Sequence, residues 1–259
     1  MSDTLVNIVL INEIKAVLQS FDPIGLKEMS SVALMKRLDT KFILSADRLP
    51  TLFEAINDDY AALKIEEKLI FGYRTTYYDS TGLETYTDHL RGKSIRHKIR
   101  IREYLDTAVN YFEIKKKKNS GVTDKVRIKT TEIHDVLDST QQKFASEHLQ
   151  KIDVEGYHKV LTNTFNRITL VNPNERERVT IDYNLAFDND QQTKAFETLC
   201  IVEIKQPRIN RFTPIFRQLK IMGIRPLRIS KYCLGVTCLN DVKSNIFKPK
   251  LKQIQKTIN

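Results

Sequence analysis

The sequence is poor in cysteine and has no long apolar run, and each shortage argues against a class of protein. The three cysteines, Cys200, Cys233 and Cys238, are an odd number without CxxC spacing or paired histidines. They argue against a structural zinc site and a disulfide framework, and favour reduced core thiols. No segment approaches the roughly 18 uninterrupted apolar residues of a membrane span. The N-terminal residues lack the pattern of a secretory signal, so we expect a cytoplasmic protein without a transmembrane segment.

The chain also lacks an obvious repeat, low-complexity tract or long linker. Its 259 residues can bury a sizeable core in one large domain or two small ones. Hydrophobic content of 41% and charged content of 29% describe an ordinary globular protein. The net charge of +10, however, is unbalanced. It indicates an anionic partner, which could be nucleic acid, a membrane surface or a small polyphosphate.

Charged residues recur at every second position in three stretches, which read RHKIRIR from Arg96, YFEIKKKK from Tyr111 and KVRIK from Lys125. Because a strand turns successive side chains to opposite faces, each row of charge shares one face. Neighbours on that face lie about 7 Å apart, and at an effective dielectric constant near 20 each like-charged pair repels by roughly 2–3 kcal/mol. A single strand of this kind commonly turns its charges to solvent. Three in succession favour a phosphate-binding wall.

Apolar periodicity and turn residues predict the other elements. Helices are predicted over residues 5–20, 46–57, 83–90 and 213–222, and further strands over residues 35–44, 73–79, 176–187 and 199–205. Residues 132–166 are expected to be helical, although their apolar pattern is poor. Residues 243–259 hold five lysines and few large apolar groups, so we expect a solvated or frayed tail there.

The strands are close enough in sequence for an antiparallel arrangement, with helices grouped at a few connections. This spacing favours one α+β domain built on a large sheet or a closed barrel. In a barrel the charged rows face a wet interior, while the apolar residues between them face outward against helices. These outward residues are Ile99, Ile101, Ile114, Val126 and Ile128.

Nine short motifs then occur in the order found in a known family. They are Arg37-x-Asp-x-Lys41, Tyr77-Tyr-Asp79, Tyr86-x-x-His89, Arg96-x-Lys-x-Arg-x-Arg102, Glu113-x-Lys115, Lys125-x-Arg127, Arg178-x-Thr-x-Asp182, Glu203-x-Lys205 and Ser230-Lys231. From about residue 31 to residue 235 they resemble the VTC domain, the polyphosphate polymerase branch of the triphosphate tunnel metalloenzymes. The resemblance implies an eight-stranded antiparallel β-barrel with helices outside. We expect an N-terminal helix over 1–25, the tunnel domain over 26–240 and a basic tail over 241–259.

The resemblance also implies roles for individual residues. The predicted catalytic residues, which hold the reacting phosphates, are Lys41, Arg100, Arg102, Lys115, Lys125 and Arg167. The predicted phosphate contacts are Arg37, Arg96, Lys98, Arg127, Arg178, Lys205, Arg228, Ser230, Lys231 and His89. Among these, Ser230 and Lys231 match contacts from the strand that closes the tunnel. Glu203, helped by Glu113 or Asp182, is the predicted ligand set for Mn²⁺ or Mg²⁺.

The sequence departs from the family pattern at three places. His89 stands where a related eukaryotic member carries an Arg, and Phe165 stands where a Tyr is expected. The first strand offers Arg37-x-Asp39-x-Lys41 instead of the Glu-x-Glu-x-Lys signature of tunnel phosphatases and cyclases. Loss of that carboxylate pair favours the polymerase branch.

Phosphoryl transfer requires mainly positioning and cancellation of charge, which rows of Lys and Arg supply. The leading prediction is a metal-dependent phosphotransferase that moves the terminal phosphate of ATP onto polyphosphate. Its partners would be ATP, polyphosphate and pyrophosphate, without nucleic acid, and a membrane partner protein stays open. The alternatives are a triphosphatase acting on inorganic triphosphate or a nucleotide, and a non-catalytic polyphosphate-binding module. A nucleic-acid binder would instead show an exposed basic face.

Overall fold

The computed structural model describes residues 3–31, 37–119, 123–149 and 152–258. The strands are β1 (Asp22–Ile24), β2 (Leu38–Ser45), β3 (Ala61–Leu63), β4 (Phe71–Asp79), β5 (Arg96–Tyr104), β6 (Val109–Lys117), β7 (Thr123–Thr130), β8 (His158–Asn172), β9 (Glu177–Asp188), β10 (Thr193–Phe196) and β11 (Leu199–Gln206). The α-helices are α1 (Asp3–Leu18), α2 (Leu26–Ser31), α3 (Leu49–Glu54), α4 (Glu84–Leu90), α5 (Ser139–His148), α6 (Pro214–Ile221), α7 (Lys231–Leu239) and α8 (Lys248–Ile258). None of the described helices is long and apolar enough to cross a membrane.

Eight strands form the main sheet, in the order β2-β11-β9-β8-β4-β5-β6-β7. Neighbouring strands along this path are antiparallel. Short strands extend the sheet at its margin, where β10 pairs with β9 and β3 pairs with β8. The predicted α+β class with an eight-stranded antiparallel sheet is therefore confirmed.

The sheet curls round without closing completely. Among the described residues no ladder joins β7 to β2, and the free side of β2 is instead met by the connection that follows α6. There Phe42 forms a bridge with Pro226, and the Leu227 N–H donates to the Lys41 carbonyl at 2.8 Å. The result is a barrel with a seam, which encloses a central space that we call the bore.

Helices cover the outer face because alternate residues of each strand are apolar. Outward residues of β2, β9 and β11, such as Phe42, Ile181 and Val202, pack with α1, α3 and α6 in the largest core cluster. On the other side Ile99 and Ile114 pack with residues near α5. The list of outward residues is confirmed, because Ile101, Val126 and Ile128 join the same cluster.

Helix α7 fills one end of the bore. Inward-facing residues of β4 and β8, Tyr77 and Leu161, share a buried cluster with Tyr232 and Cys233 of α7. The fit is close, because a Cβ added at Gly235 would lie 2.6 Å from Phe187 Cδ1. The strand wall and this helix therefore divide the inner surface into an apolar end and a polar remainder.

Three predictions of secondary structure differ from the structure. Residues 132–166 hold α5 and then more than half of the long strand β8, because alternation resumes at His158 after a turn. The expected frayed tail is helix α8, whose Ile254 is 1% exposed. Ser230 and Lys231 lie at the N-terminus of α7, where a closing strand was expected. Met35 and Lys36, which began the first predicted strand, lie outside the described residues.

Candidate phosphate-binding bore

Strand register decides which side chains face the bore. On β5 the even-numbered residues Arg96 to Arg102 pair across β6 with Lys117, Lys115, Glu113 and Tyr111, so all of them share one face. The opposite face of β5 carries the buried Ile99 and Ile101. Because directly opposed residues in an antiparallel pair lie on the same side, the basic rows of β5, β6 and β7 line the bore together.

Glu203 on β11 lies between two lysines. Lys41 is its direct cross-strand partner, with Nζ 3.3 Å from Oε1, and Lys205 Nζ is 2.8 Å from Oε2. Lys205 also donates to Thr180 Oγ1 at 2.7 Å. Burial works against ionisation of Glu203, but Lys205 and Lys41 hold the pKa of this carboxyl well below its usual value. Glu203 in turn raises the pKa of Lys41.

Asp182 on β9 forms a second group of the same kind. Arg167 stands directly opposite on β8 and binds both carboxylate oxygens, Nε to Oδ1 at 2.6 Å and Nη2 to Oδ2 at 2.8 Å. Lys231, from the first turn of α7, contacts Oδ2 as well. Burial opposes ionisation of Asp182, yet Arg167 and Lys231 keep its pKa well below the usual value. Burial lowers the pKa of Lys231 to about 7.

Glu113 on β6 is the centre of a third group and is fully buried. Its Oε2 accepts from Arg100 Nε at 2.9 Å and from Arg100 Nη2 at 2.6 Å, while Lys125 of β7 contacts Oε1. Despite burial, Arg100 and Lys125 keep the pKa of Glu113 far below its ordinary value. In each of these three ion-pair triads, therefore, one ionised carboxylate holds two cations in place.

Other cations of the bore have no such partner. Within the described residues, no carboxylate pairs with Lys98, Arg102 or Lys115. Among the described residues, Lys98 Nζ donates to Ser230 Oγ, at 2.8 Å. Burial lowers the pKa of Lys98 to about 8 and that of Arg102 to about 10. Arg100, together with burial, lowers the pKa of Lys115 well below its usual value. These three unpaired cations are charges that an anion would stabilise.

A pair of stacked rings supports the cations near Asp182. Tyr73 and Phe165 lie 5.4 Å apart with an interplanar angle of 5°. The guanidinium carbon of Arg102 is 5.4 Å from each ring, and Lys231 Nζ is 3.2 Å from the Phe165 centroid. Arg167 also lies over both rings. Cations over aromatic faces are attracted by the ring quadrupole, so the stack fixes their position without neutralising them.

Two further predicted contacts mark the end of the bore opposite α7. Arg178 of β9 stands opposite Lys205, and Arg37, just before β2, pairs with Asp39 at 3.2 Å. Burial and the nearby Arg37 lower the pKa of Arg178.

The remaining predicted contacts occupy different surroundings. Arg127 lies over the Tyr111 ring at 4.3 Å. Arg96 faces the bore at the α7 end, where it donates to the Lys93 carbonyl at 2.7 Å. Ser230 caps α7 and accepts from the Cys233 N–H. His89 belongs to α4 and stacks on Phe247, whereas Arg228 is exposed on the connection before α7.

The three predicted metal ligands are not brought together. Glu203, Asp182 and Glu113 belong to separate triads, and the described residues contain no group of three His, Cys, Asp or Glu side chains able to hold a metal. A hard divalent ion can nevertheless bind one carboxylate when substrate phosphates supply its other ligands. Glu203 fits that requirement, because it lies close enough to influence Lys115 across the bore.

Sequence reasoning missed two features of the site. The Tyr73–Phe165 stack depends on the pairing of β4 with β8, and residues 158–166 were expected to be helical. Lys250, on α8, was assigned to a frayed tail. The spacing of Phe247, Leu251, Ile254 and Ile258 follows one face of a helix and could have revealed α8.

A curled antiparallel sheet with cations converging in its bore defines the class of triphosphate tunnel proteins. Within that class the chain belongs to the VTC domain family, which it matches over residues 36–240. The earlier resemblance is thereby confirmed. Membership of this family implies an enzyme that binds nucleoside triphosphates or polyphosphate and depends on a divalent metal.

Solved structures with related folds have low similarity to this chain. A proposed adenylate cyclase from Bacillus halodurans has 14% identity and a TM-score of 0.48, covering 79% of this chain and 99% of its own. A proposed adenylyl cyclase from Hippeastrum, described as having a dominant triphosphatase activity, has 14% identity and a TM-score of 0.47. The match covers 82% of this chain and 99% of the Hippeastrum chain. A proposed adenylate cyclase from Vibrio parahaemolyticus has 9% identity and a TM-score of 0.44, covering 76% of this chain and 95% of its own. No curated protein matches the sequence.

Proposed function

We propose that this chain is a polyphosphate polymerase, which transfers the terminal phosphate of ATP to a growing polyphosphate chain inside the bore. The observation that carries the proposal is the set of unpaired cations, Lys98, Arg102 and Lys115. Lys98 and Lys115 stand opposite each other on β5 and β6, and Arg102 lies further along the same face of β5, so a phosphate chain along the bore would meet them in succession. A chain of phosphates is the anion that such an extended arrangement fits.

The state of the carboxylates favours transfer to phosphate over transfer to water. Glu113, Asp182 and Glu203 have pKa values well below the usual range and are each held by two cations, so they are poor general bases. The end of a polyphosphate chain is already anionic and requires no base. In this reaction the chain end attacks the γ-phosphorus of ATP, the β–γ bridging bond breaks, and ADP leaves with the bond electrons.

The protein's contribution is to hold both reactants in line. Arg100, Arg102 and Arg167 provide planar donors for bidentate phosphate contacts, while Lys41 and Lys115 act as point charges. Lys125, Lys205 and Lys231 keep the three carboxylates in place. Glu203 would hold Mn²⁺ or Mg²⁺ with the substrate phosphates, and the bound ion would neutralise charge on the transferred group.

One observation favours a triphosphatase as the second candidate. Thr75 and Asn163 stand opposite each other on β4 and β8 and face the bore. Thr75 Oγ1 and Asn163 Oδ1 are buried and, among the described residues, have no hydrogen-bond partner. Two such acceptors can hold a water molecule, and a water positioned there would be the nucleophile of a hydrolase.

A product assay separates the candidates. The protein with ATP and Mn²⁺ or Mg²⁺ is expected to form polyphosphate, with or without a pyrophosphate primer. Lys115→Met should lower the rate by about 10²-fold, as expected for one electrostatic contact to the transition state. Lys116→Met, on the outer face of the same strand, is the matched control and should retain the wild-type rate. Release of orthophosphate alone would instead indicate the triphosphatase, and tight polyphosphate binding without turnover would indicate a binding module.

A further inference from the structure

Part of the basic surface lies beyond the residues matched by the family. The match ends at residue 240, but α8 follows and packs against β2 and β11. Its apolar face joins the cluster around α7, with Ile254 1% exposed and Leu251 packed against it. Helix α8 is therefore a fixed part of the α7 end of the bore.

A ladder of rings fixes the position of one lysine on α8. Phe247, just before the helix, stacks with two rings of α4, Tyr86 at 6.0 Å and His89 at 6.2 Å. Lys250 Nζ lies 4.9 Å from the Phe247 centroid. The ladder places Lys250 beside His89, which belongs to α4. Unlike its neighbour Lys252, which is exposed, Lys250 is half-buried.

Lys250 joins two cations at the end of the bore wall. Arg96 and Lys98 share the inner face of β5. Burial lowers the pKa of His89 to about 3, and the charges of Lys98, Arg96 and Lys250, followed by that of Lys41, act in the same direction. The imidazole is consequently neutral, and its buried Nδ1 has no hydrogen-bond partner among the described residues.

No described carboxylate compensates these three charges. Arg96 donates to the Lys93 carbonyl, Lys98 to the Ser230 hydroxyl, and Lys250 faces only a ring. The nearby carboxylates are already engaged, because Asp88 pairs with Lys93 and Glu203 with Lys41. All three cations are half-buried rather than sealed. A bound anion would stabilise them and could reach them from solvent.

We infer that Arg96, Lys98 and Lys250 form a phosphate subsite at the α7 end of the bore, completed by helix α8. The inference rests on the proposed function for its ligand, polyphosphate. From Arg102 to Arg96 the strand extends about 20 Å. A tripolyphosphate held between Arg102 and Lys98 therefore stops short of Lys250, whereas a long chain reaches it. The subsite makes affinity depend on chain length.

The test is calorimetric titration of the full chain without ATP, using tripolyphosphate and long-chain polyphosphate as probes. The wild type should bind the long chain more tightly than tripolyphosphate. Lys250→Ala should reduce that preference roughly three- to tenfold, the loss of a contact intermediate between an exposed and a buried ion pair. Lys250→Arg should restore it. Lys252→Ala, the same charge change on the same helix, should leave it unchanged.

Several outcomes would overturn the subsite. One is equal behaviour of Lys250→Ala and Lys252→Ala, and another is an equal loss of affinity for both probes. Failure of Lys250→Arg to restore the preference would show that Lys250 acts through packing on Phe247. The assay measures binding and requires no turnover. A protein that prefers long chains but synthesises no polymer would therefore refute only the proposed polymerase activity. Wild-type protein that binds neither probe would refute both.

Discussion

The bore contains cations that are bound by a carboxylate and cations that are not, and the two kinds differ in what holds them in place. In each ion-pair triad, one carboxylate with a strongly lowered pKa holds two cations in place. Glu113, for example, holds Arg100 and Lys125. Lys98, Arg102 and Lys115 have no such carboxylate. Burial or a neighbouring guanidinium lowers their pKa values, as burial also lowers that of the paired Lys231, so the difference lies in the partner. The two kinds lie side by side on β5, where the paired Arg100 stands between the unpaired Lys98 and Arg102.

This difference separates stability from binding. Removing one member of a buried ion pair leaves an uncompensated charge, which costs about 3–5 kcal/mol. Removing a charge that has no partner relieves repulsion and desolvation instead. Substitutions in the triads should therefore destabilise the unliganded protein, and substitutions of the unpaired cations should stabilise it while weakening its affinity for phosphate.

The largest effect is expected from Glu113→Gln. The change keeps the shape of the side chain but leaves Arg100 and Lys125 without their carboxylate, so the free energy of unfolding should fall by about 3–5 kcal/mol. Tripolyphosphate should restore more stability in this variant than in the wild type, since its bore is more positive. Chemical denaturation with and without tripolyphosphate measures both effects.

A matched control is Glu67→Gln, which removes an exposed carboxylate paired with Lys64. This substitution should change the free energy of unfolding by no more than about 0.5 kcal/mol. If Glu113→Gln were equally mild, the triads would contribute no more than surface pairs, and the comparison between the two kinds of cation would fail.

Lys115→Met should change the free energy of unfolding less than Glu113→Gln does, and in the opposite direction. The unliganded variant should be more stable by about 1 kcal/mol, because an apolar side chain of similar volume replaces a half-buried, unpaired charge. The rise in Tm that tripolyphosphate causes should shrink at the same time. Lys116→Met, on the outer face of β6, should leave that rise intact. A destabilised Lys115→Met variant would show that Lys115 has a structural partner.

The sequence revealed the bore wall because period-two alternation is a local signal. Arg96 to Arg102 and Lys125 to Lys129 each show it within one strand. The triads could not be predicted in the same way. Arg167 meets Asp182 only because β8 pairs with β9 in one register, and a shift of one residue would turn each side chain to the other face.

The ends of the bore were the least predictable part. Ser230 and Lys231 were expected on a closing strand, but the segment pairs with β2 only around Pro226 and Leu227 before α7 begins. The apolar residues of α8 recur at every third or fourth position, as in an amphipathic helix, but the many lysines between them favoured the interpretation of a solvated tail. Burial of Ile254 against other helices, a tertiary effect, makes this segment helical.

The smallest expected effect is a pH dependence that distinguishes Lys98 from Lys41. The pKa of Lys98 is about 8 in the folded protein and about 10.4 in an unfolded chain. Between these values the unfolded chain binds more protons, so the contribution of Lys98 to stability rises with pH. The pKa of Lys41 is raised by Glu203, so its stabilising contribution is complete in this range and is lost only above it.

The measurement is the difference in Tm between wild type and Lys98→Met from pH 7 to pH 9.5, with and without tripolyphosphate. Burial raises the pKa values of the cysteine thiols, which therefore contribute an opposite pH dependence to stability. This contribution is shared by both proteins and largely cancels when their Tm values are subtracted. At pH 7 the variant should be the more stable protein, and its advantage should decrease as Lys98 loses its proton in the wild type. Bound tripolyphosphate should raise the pKa of Lys98 and remove this pH dependence. A difference that does not vary with pH would mean that Lys98, like Lys41, has a compensating charge in the folded protein.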